Sequence, residues 1–384
     1  MYLTVLFRFF VLGLYSFGGP AAHIGFFQRE FVQHRKWLSE QDFTQAVALC
    51  QFLPGPASSQ LGMYIGYSKA GYLGALAAFI GFTFPSFILL TVLAMGAHEY
   101  AGNAMIESVI SAAKLLAVVV VADALWGMAK KNLTNAITIG TAALTAISVY
   151  FSEGLLGQIV PILCAAGVGY VIALSRLASE TSAAHSASPI RPNLVLLGVF
   201  ITLLIGLPFI SEQSAWINLF NIFYQAGSFV FGGGHVVLPL LEPLVHGIVN
   251  KETFLSAYAS AQLVPGPMFT MASYLGSAAM AENPLLGSAV ATLAIFLPGG
   301  LLLFAFLPAW YALMAHPKLK LSLILVNASV VGLLASAFVS PVIQTSITSV
   351  LDVAVVMIGY GLLKNRQCPV WLLIIIFTGY TLFI

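Results

Sequence analysis

The stretch that decides the fold is QFLPGPASS at residues 51–59, and a close copy, QLVPGPMFT, occupies residues 262–270. In each copy an apolar, helix-forming run meets Pro-Gly-Pro and then begins again. Proline lacks the N–H that a helix needs and clashes with the preceding turn, so neither run continues as one unbroken helix. New helices are therefore predicted after Pro56 and Pro267, and their free N–H groups and partial positive charge suit an anion.

The composition around these breaks is that of a membrane protein. Of 384 residues, 60% are hydrophobic and only 7% are charged, whereas soluble domains carry about 25% charged residues. Residues 71–97, 213–241 and 283–315 contain no Asp, Glu, Lys or Arg, and each range exceeds the ~20 residues that span a bilayer. They lack the alternation of membrane strands, so the sequence predicts membrane-spanning helices.

Several classes of site are not expected. The net charge of +2 gives no indication of a nucleic-acid partner. The three cysteines, Cys50, Cys164 and Cys368, stand far apart, without metal or disulfide spacing. No catalytic residues, metal ligands or cofactors are therefore predicted, and no HExxH, GxSxG or Walker motif favours an intramembrane enzyme.

Three landmarks recur in the same order in the two halves of the chain. FGGP at 17–20 is echoed by FGGG at 231–234, the Pro-Gly-Pro stretches follow, and FPS at 84–86 is echoed by LPG at 297–299. Nearly equal spacing predicts an internal duplication. The expected division is a first membrane repeat over 1–174, a linker loop over 175–192 and a second membrane repeat over 193–384.

Basic loops indicate how the two halves are oriented. In the first half the loops at Lys130 and Arg176 are basic. In the second half the basic loops, at Lys318 and Lys364, correspond to loops of the first half that have no Lys or Arg. The sequence thus predicts an all-α polytopic membrane protein with two inverted repeats, each with helices interrupted at Gly-Gly and Pro-Gly-Pro. Whether the Pro-Gly-Pro elements are re-entrant hairpins or broken spans stays open.

Paired helix breaks in two halves predict a substrate-binding site, although single breaks are more often kinks or packing points. Backbone would approach the substrate at the breaks, hydroxyl groups follow them, and amides precede them. The candidates are Gly18, Gly19, Pro54, Gly55, Pro56, Gly232, Gly233, Pro265, Gly266 and Pro267, then Ser58, Ser59 and Thr270, and finally Gln51 and Gln262. Alanine at Gly55 or Gly266 is expected to intrude on the substrate while adding about 1 kcal/mol of helix propensity.

Three ionisable residues complete the candidate site. His23 and His235 follow the Gly-Gly breaks without aligning, and each either binds an anion or proton or makes a packing hydrogen bond. Lys114 lies within an apolar span, where a charge is expensive. It either attracts an anion or pairs with an acid. That acid is not expected to be Asp123, because nine residues place it on the opposite helix face.

These motifs resemble those of the chromate transporter (CHR) family. The resemblance rests on FGGP with His23, on WLSE at 37–40 with Asp42 and Phe43, on QFLPGP at 51–56, and on the second set from 231 to 267. It implies a multi-pass carrier of the bacterial inner membrane with two homologous halves. It also implies outward movement of chromate and chromate resistance. Gly234 stands where the first copy has Pro20, so the halves are expected to contribute unequally.

The leading hypothesis is a carrier that exports the chromate dianion by alternating access. Transport of sulfate or another oxyanion, or an anion channel, is the alternative. The expected partners are chromate or a similar oxyanion and membrane lipid, without nucleic acid. Whether the chain forms a homodimer stays open.

Overall fold

The computed structural model describes residues 1–17, 19–99, 104–152, 154–177, 191–230, 237–309, 317–365 and 370–383. These residues form helices, turns and short connections, and no strand occurs among them. The helices are α1 Tyr2–Tyr15, α2 Gly19–Phe27, α3 Glu40–Phe52, α4 Ala57–Glu99, α5 Ala104–Asn132, α6 Ala136–Phe151, α7 Gly154–Leu177, α8 Leu194–Ile210, α9 Ala215–Phe229, α10 Val237–Val245, α11 Lys251–Leu263, α12 Met271–Ala279, α13 Pro284–Phe306, α14 Pro317–Ala337, α15 Val350–Lys364 and α16 Val370–Leu382. Wider π-helical turns follow α2 at Gln28–His34 and α14 at Phe338–Ile343.

Within these ranges six helices are long and apolar enough to cross a membrane. They are Ala57–Ala97, Glu107–Asn132, Leu156–Ser175, Leu194–Gln213, Pro284–Ala309 and Leu321–Ser346. The longest is broken, because Ala70 and Gly71 have non-helical backbone angles, so α4 consists of a short segment, 57–69, and a long segment, 72–99. The prediction of an all-α polytopic membrane protein is confirmed.

Helix starts are capped at matching positions in the two halves. Ser39 Oγ accepts the Asp42 N–H at the start of α3, and Asn250 Oδ1 accepts the Thr253 N–H at the start of α11. Asn135 and Ser349 likewise form capping boxes at the starts of α6 and α15. These side chains satisfy N–H groups that the first helical turn leaves without a partner.

The chain reverses at both Pro-Gly-Pro stretches. In the first hairpin (α3 and residues 57–69 of α4), Lys69 Nζ returns to 5.3 Å from the ring centre of Trp37, which stands just before α3. In the second hairpin (α11 and α12), the start of α11 at Asn250 and the end of α12 at Ala278 line one cavity. Both elements therefore turn back on themselves as helical hairpins rather than continuing as one interrupted helix.

The two hairpins open at opposite ends of the molecule. We call the end of α5, α7 and α15 the basic end, where Lys364 Nζ lies 3.1 Å from Asp123 Oδ1. The first hairpin opens toward that end. Lys69 stands just before the long segment of α4, whose last turns lie at the opposite end, beside Ile110 near the start of α5. The second hairpin opens at the other, basic-poor end, beside the last turns of α4.

Long helices of each half pack against helices of the other half. Helix α5 packs on α15 and α16, and α14 packs in the same way on α6 and α7. Thr145 of α6 and Ser329 of α14 are joined by a buried hydroxyl–hydroxyl hydrogen bond of 2.9 Å. Such an exchange is what a duplicated chain would produce, while the division at 174 and 193 stays a prediction.

Candidate functional site

The loop of the second hairpin meets the end of α1 at what we call the first crossing. The carbonyl of Ser16 accepts hydrogen bonds from the Gly266 N–H at 2.9 Å and from His23 Nε2 at 3.1 Å. Because a carbonyl only accepts, Nε2 of His23 carries the hydrogen, and Nδ1 is left as an acceptor. Nδ1 is buried and has no hydrogen-bond partner among the described residues. The structure thus realises the packing hydrogen bond of His23 and leaves one ring nitrogen unused.

The loop of the first hairpin meets the end of α9 in the same way, at the second crossing. The Gly55 N–H donates to the carbonyl of Val230 at 2.7 Å. Gln60, fully buried, donates through Nε2 to the carbonyls of Pro54 and Gly299, at 3.0 Å each. Its Oε1 is buried without a partner in the described part of the chain. One amide therefore ties the first hairpin to α13.

Both central glycines are required by backbone conformation as well as by space. Gly55 has φ of +117° and Gly266 has φ of +111°, a region that side chains with a Cβ avoid. A Cβ on Gly55 would lie 2.8 Å from Gly299 Cα, and a Cβ on Gly266 would lie 2.8 Å from Ser86 Oγ. The expectation that alanine here would add helix propensity is wrong, because neither glycine is helical.

The helices after the two breaks begin differently. Helix α4 begins at Ala57, directly after Pro56, as predicted. After Pro267 a 3₁₀ turn, Met268–Thr270, comes first, so α12 begins only at Met271. The prediction of a new α-helix directly after Pro267 is therefore wrong by this one turn.

The three candidate hydroxyl groups are buried at these starts. Ser58, Ser59 and Thr270 are each at most 3% exposed. The Thr270 hydroxyl donates to the carbonyl of Pro267, so its hydrogen is already used. Ser59 Oγ has no hydrogen-bond partner within the described ranges. Ser59 is thus the better placed of these two to bind a ligand.

A cavity of about 360 Å³ reaches the first crossing. Gly19, Gln262 and Gly266 line it together, which brings candidates from both halves into one space. It extends to Val370 and Trp371, the first residues of α16, at the basic end. Gln51, the counterpart of Gln262, is exposed and does not share this arrangement.

Lys114 lies apart from both crossings. Its Nζ is 2.8 Å from Glu252 Oε1, with the lysine side chain 13% exposed and the glutamate side chain 71% exposed. Helix α11 runs for about 16 Å between Glu252 and the Pro-Gly-Pro loop. Of the two alternatives for Lys114, the structure shows the acid pair. The acid is not Asp123, as the spacing predicted; Asp123 lies beside Lys364 instead.

Four candidates, Gly18, Gly232, Gly233 and His235, lie outside the described residues. Two residues of the crossings, Ser16 and Gln60, were missed in the sequence, and so was Glu252 as the partner of Lys114. Gln60 carried a signal, because a glutamine in an apolar run directly after a helix start is unusual. Ser16 carried no such signal, because it accepts the Gly266 N–H through its main-chain carbonyl and not through its side chain.

The family model described as chromate transporter matches residues 3–171 and 217–382. A chromate transport protein of Cupriavidus metallidurans is 30% identical over 312 residues, 79% of this chain and 73% of that protein. A probable chromate transport protein of Synechococcus elongatus is 28% identical over 338 residues, 86% of this chain and 82% of that protein.

An uncharacterized transporter of Methanocaldococcus jannaschii is 26% identical over 345 residues, 87% of this chain and 83% of that protein. No solved structure matches the chain. The two matched regions fall on either side of α8, and each contains one of the two hairpins. The chain is a multi-pass bacterial membrane protein that belongs to the chromate transporter family.

Proposed function

We propose that this protein is a carrier that exports the chromate dianion by alternating access between two inverted repeats. The observation that carries the proposal is the reciprocal pair of crossings. Each hairpin loop donates one glycine N–H to the other half, through Gly55 to Val230 and through Gly266 to Ser16. A movement of one half against the other must therefore alter both loops together.

The chemistry around the loops suits an oxyanion. The first N–H groups of α4 follow Pro56 and have no partner within the helix, so they can bind an anion at the positive end of the helix dipole. The Ser59 hydroxyl beside them can donate a further hydrogen bond. A tetrahedral dianion accepts several such bonds at once, and no Asp or Glu occurs in either Pro-Gly-Pro stretch to repel it.

The cavity and the membrane potential support export as the direction of transport. The cavity at the first crossing extends to the basic end, which the positive-inside rule places in the cytoplasm. A bacterial membrane is negative inside, and moving one charge across it is worth ~2.3 kcal/mol per 100 mV. A dianion leaving the cell gains twice that amount, so export needs no proton.

Flux of radiolabelled chromate from proteoliposomes tests the proposal, with pH and potential varied separately. We expect saturable efflux that an inside-negative potential accelerates and that unlabelled chromate on the far side stimulates by exchange. Protein-free liposomes set the background. Parallel assays with sulfate decide between the oxyanions. Flux that does not saturate, without exchange, would point to a channel and overturn the carrier.

A further inference from the structure

Outside the crossings, two ion pairs join the halves in the described part of the chain, and that of Lys114 and Glu252 lies at the basic-poor end. Its two members differ strongly in exposure, 13% for the lysine side chain against 71% for the glutamate side chain. A mostly buried ammonium needs a counter-charge, because its desolvation is not compensated otherwise. An exposed carboxylate is well solvated when free, so Glu252 loses little by leaving the pair, provided that another anion takes its place beside Lys114.

A cavity of about 420 Å³ lies beside this pair. Glu252 lines it, and so does Ile110, which lies one turn before Lys114 on α5. Asn250, Thr253, Ser256 and Tyr274 also line it and bring amide and hydroxyl groups that can donate hydrogen bonds. The cavity is bounded by the second hairpin on one side and by the last turns of α4 on the other.

We infer that this cavity is a second oxyanion site, at the basic-poor face, in which Lys114 exchanges Glu252 for the transported dianion. The inference rests on the proposed function and assigns the last binding step before release. When the dianion arrives, Glu252 swings into solvent, and the ammonium keeps a negative partner throughout. Glu252 therefore competes with the substrate for Lys114, and Lys114 attracts the substrate.

The two halves differ at this place. The positions that correspond to Lys114 and Glu252 in the other half are Asn327 and Gln41, both neutral. The exchangeable pair is thus present at one face only. A site that holds the dianion electrostatically at this face alone gives the two faces different affinities.

The test is chromate exchange in sealed vesicles, with the half-saturating chromate concentration measured separately at each face. Glu252→Gln removes the competitor, so we expect this concentration to fall about three- to tenfold at the basic-poor face. Lys114→Gln removes the attracting charge, so we expect it to rise about tenfold or more at the same face. At the basic end both variants should stay within twofold of the wild type.

Asp123→Asn is the matched control, because it removes one negative charge from an ion pair about 14 Å further along α5. It should leave the half-saturating concentration at the basic-poor face unchanged. A purely structural pair would instead make both Lys114→Gln and Glu252→Gln weaken exchange and lower the melting temperature alike, and this result would overturn the inference. Absence of oxyanion exchange in the wild type would overturn the proposed function as well, so the two failures are distinguishable.

Discussion

The two crossings share a backbone arrangement and differ in side-chain chemistry. Each has one glycine N–H bound to the carbonyl that precedes a Phe-Gly-Gly stretch, at Ser16 and at Val230. At the first crossing His23 adds a second donor to that carbonyl, and its counterpart in the other half is Val237. At the second crossing the polar group is Gln60, whose counterpart is Met271.

Backbone and side chains therefore have separate roles at the two crossings. The main-chain hydrogen bond occurs at both crossings, so it holds each loop where the halves meet. The polar side chains occur once each, so the chemistry offered to a ligand is not symmetric. The two glycines also differ in how well they would tolerate a Cβ, because Gly55 faces the main chain of Gly299 whereas Gly266 faces the side chain of Ser86.

The largest expected effect concerns the opposite orientation of the hairpins, and it is all-or-none. Gln41 and Lys251 are exposed in the first turns of α3 and α11. In a variant without the native cysteines, an impermeant maleimide should label Gln41→Cys from one side of the membrane and Lys251→Cys from the other. Labelling of both cysteines from the same side would show that the two hairpins are not oppositely oriented, and the comparison of the two crossings would lose its basis.

The next effect distinguishes the two central glycines. Alanine at either position strains the backbone by about 1–3 kcal/mol. At Gly55 the overlap with a main-chain atom adds about 1–3 kcal/mol, because that atom cannot turn away. Gly55→Ala should therefore lower the melting temperature of the purified protein more than Gly266→Ala does, and both should lose chromate flux.

Gly25→Ala is the control for this pair, since a Cβ there has no atom of another residue nearby. It should leave stability and flux close to wild type. In a Gly266→Ala background, Ser86→Gly should restore part of the lost stability by removing the hydroxyl that the new methyl group meets. Equal losses at Gly55 and Gly266 would contradict the difference between the crossings.

A smaller effect separates the polar side chains. Gln60→Met, which copies the counterpart Met271, removes two hydrogen bonds, each worth about 0.5–1.5 kcal/mol net. His23→Leu removes only one, so its effect on the unfolding free energy should be about half as large. Denaturant unfolding in detergent measures both. A larger loss for His23→Leu would mean that its second ring nitrogen has a partner essential for stability.

The smallest effect concerns the hydroxyl groups at the helix starts. Ser59→Ala removes a donor that has no partner in the described structure, so chromate binding should weaken roughly two- to tenfold at unchanged stability. Thr270→Ala removes a hydroxyl that already donates to Pro267, so its effect on affinity should be smaller. The measurement is half-saturating chromate for exchange. The reverse order would place the ligand at the second hairpin instead.

Local chemistry made part of this site predictable. Proline and glycine interrupt helices wherever they stand, so the breaks at Pro54-Gly55-Pro56 and Pro265-Gly266-Pro267 could be located from the sequence. The face of a helix depends only on residue spacing, so Lys114 could be separated from Asp123. The identity of Glu252 as its partner could not, because it lies 138 residues away along the chain.

The amino-acid sequence alone was enough to predict that the chain is helical and spans a membrane, where each half is interrupted, and which family it resembles. These properties follow from composition, from the missing N–H of proline, and from the recurrence of motifs. Only the tertiary structure decided that both Pro-Gly-Pro elements turn back, that Gly55 and Gly266 reach across to the opposite half, and that Gln60 ties a hairpin to α13. The reason is physical: a chain reversal and a cross-half hydrogen bond depend on where distant segments pack, and no local pattern encodes that position.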